Sequence, residues 1–288
     1  MNADDARMFV RVASSLSITK AARILDLPKS TVSRRIAELE SFFGVQLFER
    51  TTRSMRLTEA GHRLLQESRL IIEAHERAYE IVKGNTMEVS GVLRVSASLS
   101  VGQYIIAPRL AELRRKYPEL TIELNLSNRR VDLVEEGFDL AVRVGYLDDS
   151  QVVSIPLMTT ESALYASFNY LVANRRIRSL DDLSSHGLWM MSDLSSRQYL
   201  ELASGSDVRR IKVVSAGELS DFTALAQAAR NDAGVALLPR FVAKSKPFNT
   251  LVNVLPKWRT ERHPINIVAP SRRGISRKAR AFIELLKS

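Results

Sequence analysis

The sequence predicts an α/β protein with a helical N-terminal head, one long connecting helix and a larger region of alternating strands and helices. Three observations predict this. The first sixty residues carry apolar side chains at helical spacing, broken once by proline. Residues 58–83 contain no proline and repeat their apolar pairs at close to seven-residue spacing. From Gly91 onward, short apolar runs alternate with amphipathic ones. At 288 residues the chain is long enough for two or three domains with real cores.

In the head, Met8, Phe9, Val12 and Ala13 recur at a helical period. Ser17 can cap a second helix by accepting the N–H of Thr19 or Lys20. That helix carries Ala21, Ala22, Ile24 and Leu25 on one side. Asp26-Leu27-Pro28 supplies a turn, because the residue before a proline avoids the helical region while proline suits a first turn. A third helix puts Val32, Ile36, Leu39 and Phe43 inward and ends at Gly44. Two short helices joined by a tight turn and braced by another fit helix-turn-helix geometry, whose second helix enters the major groove N-terminus first. Lys29, Ser30, Thr31, Arg34 and Arg35 then face outward as donors for phosphates and base edges. An ordinary helical hairpin with a solvated face is the alternative that periodicity leaves open.

The connecting helix, Thr58 to about Lys83, pairs Leu64-Leu65, Ile71-Ile72, Ala78-Tyr79 and Ile81-Val82. It spans roughly 39 Å at 1.5 Å per residue, more than one small domain buries, and its seam suits a partner helix. Packing wholly within its own chain is the alternative. Beyond it, VLRVSAS, LTIELNLS, FDLAVRVG, RRIKVVSA, GVALLP and PINIVAPS read as strands. YIIAPRLAELRRKYP, RRVDLVEEG, FTALAQAARND and RKARAFIELLK read as helices. Such alternation implies parallel sheets with helices on their faces and ligands outside the strands' carboxyl ends.

The formal charge of +10 suggests an anionic partner, although a basic total is weakly specific. Its distribution says more: residues 50–56 read RTTRSMR, with three arginines and no acid. Later clusters at 175–178, 209–212 and 272–273 read as solvated faces. There is no cysteine, hence no disulfide framework and no thiolate metal site. No apolar run reaches membrane-span length, and MNADDARMF lacks the charge and apolar stretch of an export signal, so a cytoplasmic protein without membrane contact is expected. The four histidines, His62, His75, His186 and His263, are scattered. Neither a zinc H-E-x-x-H, a G-x-S-x-G elbow nor a P-loop occurs, so no enzyme, metal or cofactor is expected.

Residues 8–61, from MFVRVASSLSITKAARILDLPKSTVSRRIAELE through FERTTRSMRLTEAG, resemble the winged helix-turn-helix of LysR-type transcriptional regulators. The matching features include Ala21-Ala22, Val32-Ser33, Ile36-x-x-Leu39-Glu40, Gly44-x-x-Leu47-Phe48-x-Arg50 and Leu57-Thr58-x-Ala60-Gly61. Where members commonly carry Ser-Gln-Pro, this chain has Pro28-Lys29-Ser30, exchanging a bidentate amide for a point charge. The resemblance implies double-stranded DNA as partner, contacted by Thr19, Lys29, Ser30, Thr31, Ser33 and Arg34. It also implies a wing after Gly44 whose Arg50, Thr51, Thr52, Arg53 and Arg56 make backbone or minor-groove contacts.

Across the rest of the chain the resemblance implies a DNA-binding domain over 1–60, a dimerisation helix and hinge over 58–90, and an effector-binding domain over 91–288. That last domain is similar to type 2 periplasmic binding proteins, with one lobe at about 91–161 and 267–288 and the other at about 162–266. DLAVRVG, LYASFNYL, GVALLP and APSRR carry the match, with Ser167-Phe168 where relatives often have Ser-Pro. Candidate cleft residues sit at strand ends. Ser98, Leu99 and Ser100 precede a helix, where hydroxyls and backbone N–H groups converge on a ready carboxylate site. Ser127 and Asn128 end the next strand, Arg143, Val144 and Gly145 the one after, and Ala216 and Gly217 face them from the other lobe. The function so implied is a transcriptional regulator controlled by a small organic acid and assembled as a dimer of dimers.

Overall fold

The computed structural model describes residues 1–50, 55–83, 89–129, 131–133, 136–145, 152–192, 199–270 and 275–288. The head is built from α1 (Ala3–Ser15), α2 (Ile18–Ile24) and α3 (Lys29–Phe43). Asn2 and Asp5 close a capping box on α1, and Ser17 caps α2 through the N–H of Lys20. Pro28 opens α3, and Gly44, left-handed at φ 67°, ends it. The wing expected after Gly44 is a two-stranded antiparallel ribbon of β1 (Phe48–Arg50) and β2 (Met55–Leu57). The Glu40 carboxylate of α3 accepts the N–H groups of Leu47 and Phe48 at 2.9 and 3.1 Å, tying the wing to the third helix. Phe9, Val12, Ala21, Val32, Ile36, Leu47 and Phe48 fill the core. Two side chains differ from expectation. Ile24 is 58% exposed because the short α2 buries only its Ala21–Ala22–Leu25 stripe, and Phe43 turns outward against Phe42.

The connecting helix α4 (Glu59–Lys83) packs its first half on α1, with Leu65 and Ser68 buried, so that part of the seam serves its own chain. Ile71 and Ile72 are half-buried, Ala78 is exposed and Val82 is 83% exposed.

The remainder forms two lobes. The first holds a sheet of order β4-β3-β5-β14-β6, made of β3 (Gly91–Ala97), β4 (Leu120–Leu126), β5 (Leu140–Val144), β6 (Val152–Thr160) and β14 (His263–Pro270). Strands β3, β4 and β5 run parallel; β14 is antiparallel to both its neighbours. Because β14 starts at His263, the chain returns to this lobe there rather than at 267. The second lobe holds β11-β8-β12-β7-β13, from β7 (Ser162–Ala166), β8 (Leu188–Met191), β11 (Ser215–Leu219), β12 (Val235–Pro239) and β13 (Val252–Val254). A hairpin of β9 (Tyr199–Ser204) and β10 (Asp207–Lys212) stands apart from that sheet. The sheets are therefore mixed, not parallel throughout.

Three further expectations change. RRIKVVSA is two strands: residues up to Lys212 pair in the hairpin, and Ser215 begins β11. The single helix expected from Tyr104 is broken into α5 (Leu99–Val101), a π turn (Gly102–Ile106), a 3₁₀ turn (Ala107–Arg109) and α6 (Leu110–Lys116) around Pro108. Of the short helix expected over 129–137, the described residues show one turn's bond, Glu136 N–H to Asp132 O. Phe138 N–H donates to Leu133 O beside the left-handed Gly137, while residues 130, 134 and 135 of the span lie outside the described residues.

Candidate nucleic-acid interface and ligand cleft

On α3 the buried positions are Val32, Ile36 and Leu39, and the opposite face begins at the helix's first residue. Lys29, Ser30 and Arg34 are exposed, Thr31 and Ser33 are half-exposed, and Thr19 of α2 is exposed beside them. Lys29 has no acidic partner among the described residues, and Arg34 is held by Glu38 one turn on, at 2.7 Å. Arg35 instead turns back to Asp5 of α1 at 3.9 Å, which removes it from the outward set. On the wing, Arg56 is exposed on β2, opposite Glu49 in register. Arg50 ends β1, though its side chain, together with Thr51, Thr52 and Arg53, lies outside the described residues. This basic rim around a presented helix end can contact phosphates and base edges.

Between the lobes lies a cavity of about 910 Å³. Ser98, Leu99, Ser100, Asn128 and Val144 line it from the first lobe, as the strand-end rule anticipates. The other five candidates do not. Arg143 donates to Ser127 O at 2.5 Å and Ser96 Oγ at 2.8 Å, and so is spent within its own lobe. Burial, then the charge of Arg129, lowers its pKa from the ordinary value. Ser127 and Gly145 are held in the same region, Gly145 N–H donating to Pro264 O. Ala216 and Gly217 lie on β11, at the sheet edge, against Gly187 and Trp189.

Sequence reasoning missed most of the second wall. Met190, Met191, Phe222, Leu237 and Phe241 make it largely apolar, and the hairpin adds Tyr199, Leu200, Glu201 and Arg210. The Gly205-Ser206 pair between Ser204 and Asp207 was the available signal for that hairpin. The crossovers between lobes, at 161–162 and 259–262, join through Thr260 N–H to Ser162 O and Ser162 N–H to Thr260 Oγ1, both at 2.9 Å. Beside them Glu161, 9% exposed on its side chain, accepts from Arg240, Arg259 and Arg262 at 2.6, 2.8 and 3.1 Å. Burial works to raise the Glu161 carboxyl, but these three guanidiniums outweigh it and hold the group at about 2, against an ordinary 4.5.

Away from these crossovers the lobes touch directly. Asn128 Nδ2 donates to Ser220 O at 3.2 Å, Tyr104 Oη to Thr223 Oγ1 at 3.1 Å, and Thr223 Oγ1 to Gln103 Oε1 at 2.5 Å. No helix among the described residues is long and apolar enough to cross a membrane, and no group of His, Asp or Glu among them could hold a metal ion.

Comparison with known proteins matches both parts. A family model described as bacterial regulatory helix-turn-helix protein, lysR family, matches residues 3–62, and one described as LysR substrate binding domain matches residues 87–288. The chain is 30% identical over 278 residues to an HTH-type transcriptional repressor of Pseudomonas aeruginosa, covering 96% of this chain and 88% of that one. The solved structure of CrgA, a LysR-type transcriptional regulator from Neisseria meningitidis, is similar with a TM-score of 0.63 at 25% identity, covering 100% of both chains. That of the Vibrio cholerae virulence activator AphB has a TM-score of 0.60 at 25% identity, covering 99% of this chain and 98% of that one.

Proposed function

The chain belongs to the LysR family of DNA-binding transcriptional regulators, which are not enzymes, and on that premise we propose its contacts, ligand class and assembly. Thr19, Lys29, Ser30, Thr31, Ser33 and Arg34 read the operator, and Arg50, Arg53 and Arg56 hold its backbone from the wing. The observation that carries this reading is the exposed donor row at the start of α3, set on a helix whose other face is committed to the core. Arg56→Ala is expected to weaken all DNA sequences alike and to lower the log–log salt slope by about 0.9, one phosphate's worth. Arg34→Ala is expected to cost about 1–3 kcal/mol at a preferred site and to blur its preference. Fluorescence anisotropy across a salt titration checks both; two variants as tight as wild type at every salt would remove this interface.

The cleft takes a small organic acid. Ser98 and Ser100 support that reading, because the lining from Ser98 to Val144 offers hydroxyls and an amide and contains no carboxylate. The working assembly is a cytoplasmic dimer of dimers joined along the outer half of α4, where Ile71 and Ile72 are only half-buried and Ala78 and Val82 are exposed. Ile71→Glu would place an unpaired charge in that apolar seam, costing about 3–5 kcal/mol of association. Light scattering is expected to report an oligomeric wild type and a smaller variant; a wild type that runs as a monomer at micromolar concentration would refute the seam.

A further inference from the structure

Resting on the reading of the cleft as the effector site, we infer that the effector is an amphoteric acid, an amino-acid-like molecule. Its carboxylate meets Ser98 and Ser100 on the first lobe, its ammonium group meets Asp221 on the second, and its apolar body lies against Met190, Phe222 and Leu237.

The two polar walls are unlike. On the first lobe Ser98 Oγ is buried without a partner, and Ser100, 6% exposed and lining the cavity, has no side-chain hydrogen bond among the described residues. Native structures rarely leave such groups unpaired unless something else is bound there. On the second lobe Asp221 Oδ2 accepts the N–H of Ala224, capping the helix Phe222–Arg230, while Oδ1 is buried and has no partner. A carboxylate oxygen can only accept, so this one calls for a donor, and an ammonium group carries three.

Charge around the cavity points the same way. Glu161 is already answered by three arginines. Glu201, Asp221 and Glu261 have no ion-pair partner among the described residues, and the one lining guanidinium, Arg210, lies over the Tyr199 ring at 4.5 Å. A simple acid would satisfy the serines and bring its charge towards carboxylates on the far side; a simple amine would do the reverse. An amphoteric ligand uses both walls at once. Ser220 and Thr223, which flank Asp221, make direct bonds between lobes, so such a ligand favours this arrangement, in which the lobes touch, through its differential affinity for it.

The test is calorimetry on the full chain with the protein-building L-amino acids. Their deaminated acids (3-phenylpropanoate, 4-methylpentanoate) and decarboxylated amines (2-phenylethylamine, 3-methylbutylamine) serve as matched probes. One amino acid is expected to bind at least about tenfold more tightly than its matched acid or amine, the scale of one charge-assisted hydrogen bond. Asp221→Asn, which keeps a good helix cap, is expected to abolish the discrimination against the matched acid while leaving that acid bound and the preference over the matched amine in place. A matched acid or amine that binds as well as its parent, discrimination against the matched acid that survives Asp221→Asn, or no binding by any amino acid would each overturn the inference. In that last case, a simple carboxylate that binds wild type and is weakened by Ser100→Ala keeps the cleft reading. DNA binding without ligand is measured separately and stands or falls alone.

Discussion

Gly61→Ala is expected to unfold the DNA-binding head while sparing the two lobes. A Cβ at position 61 would stand 2.1 Å from Leu47 O and 2.9 Å from Leu57 Cδ2. The oxygen cannot retreat, because it accepts the N–H of Thr58 at 3.1 Å, and Thr58 Oγ1 in turn accepts the N–H of Gly61 and donates to Gln46 O. Leu47 itself is 1% exposed in the head's core. The added methyl must therefore push α4 off the wing, an overpacking cost of about 3 kcal/mol. Thermal unfolding should lose its head transition, and gel shifts should lose all DNA binding, with ligand binding unchanged. Gly44→Ala is the control. Nothing lies within 4 Å of its missing Cβ, so only its φ of 67° is penalised, at about 1 kcal/mol. Equal damage from the two variants would mean that backbone strain, not the Leu47 contact, governs position 61.

Removing the Glu161 carboxylate is expected to have the largest effect outside the head. Glu161→Gln leaves Arg240, Arg259 and Arg262 around a neutral group at the crossover between lobes. The folded carboxyl sits at about 2 and the ordinary value is 4.5. The native state thus binds the proton less readily than the unfolded chain. This contribution is fully present above pH 4.5 and is lost as pH falls towards 2, and the difference is worth about 3 kcal/mol. Urea unfolding of wild type and Glu161→Gln should therefore differ by about that amount at pH 7 and converge as pH falls below 4.5. A gap that stays constant down to pH 3 would show that shape, not charge, holds the hinge.

The head was legible because its signals are local. Caps at Ser17 and Gly44, a proline at 28 and one apolar period per helix each act within a few residues. The cleft was half legible for the same reason: Ser98, Ser100 and Asn128 follow from the ends of strands that read plainly. Arg143 was misplaced because a strand's end does not say which way a long side chain turns, and Ser96 with Ser127 claimed it. Glu161 and Asp221 were not legible at all. The partners of Glu161 lie 79, 98 and 101 residues away, and Asp221 shows locally only as a helix cap. Both acquire their meaning from the way two crossovers bring the lobes together.

The division of labour on α3 has an evolutionary consequence. Val32, Ile36 and Leu39 hold the helix in place, whereas Lys29, Ser30, Thr31 and Arg34 bury nothing that the core needs. Exchanges at exposed positions of that kind usually change stability by no more than about 0.5 kcal/mol. After gene duplication, one copy can accumulate substitutions on this face and come to recognise a new promoter. It need not pass through an unfolded intermediate to do so. If the wing arginines hold the DNA backbone as proposed, their charge suits any sequence and they can stay fixed while the helix changes. Operator choice is thus free to diverge on a lineage's own schedule, uncoupled from the cavity between the lobes.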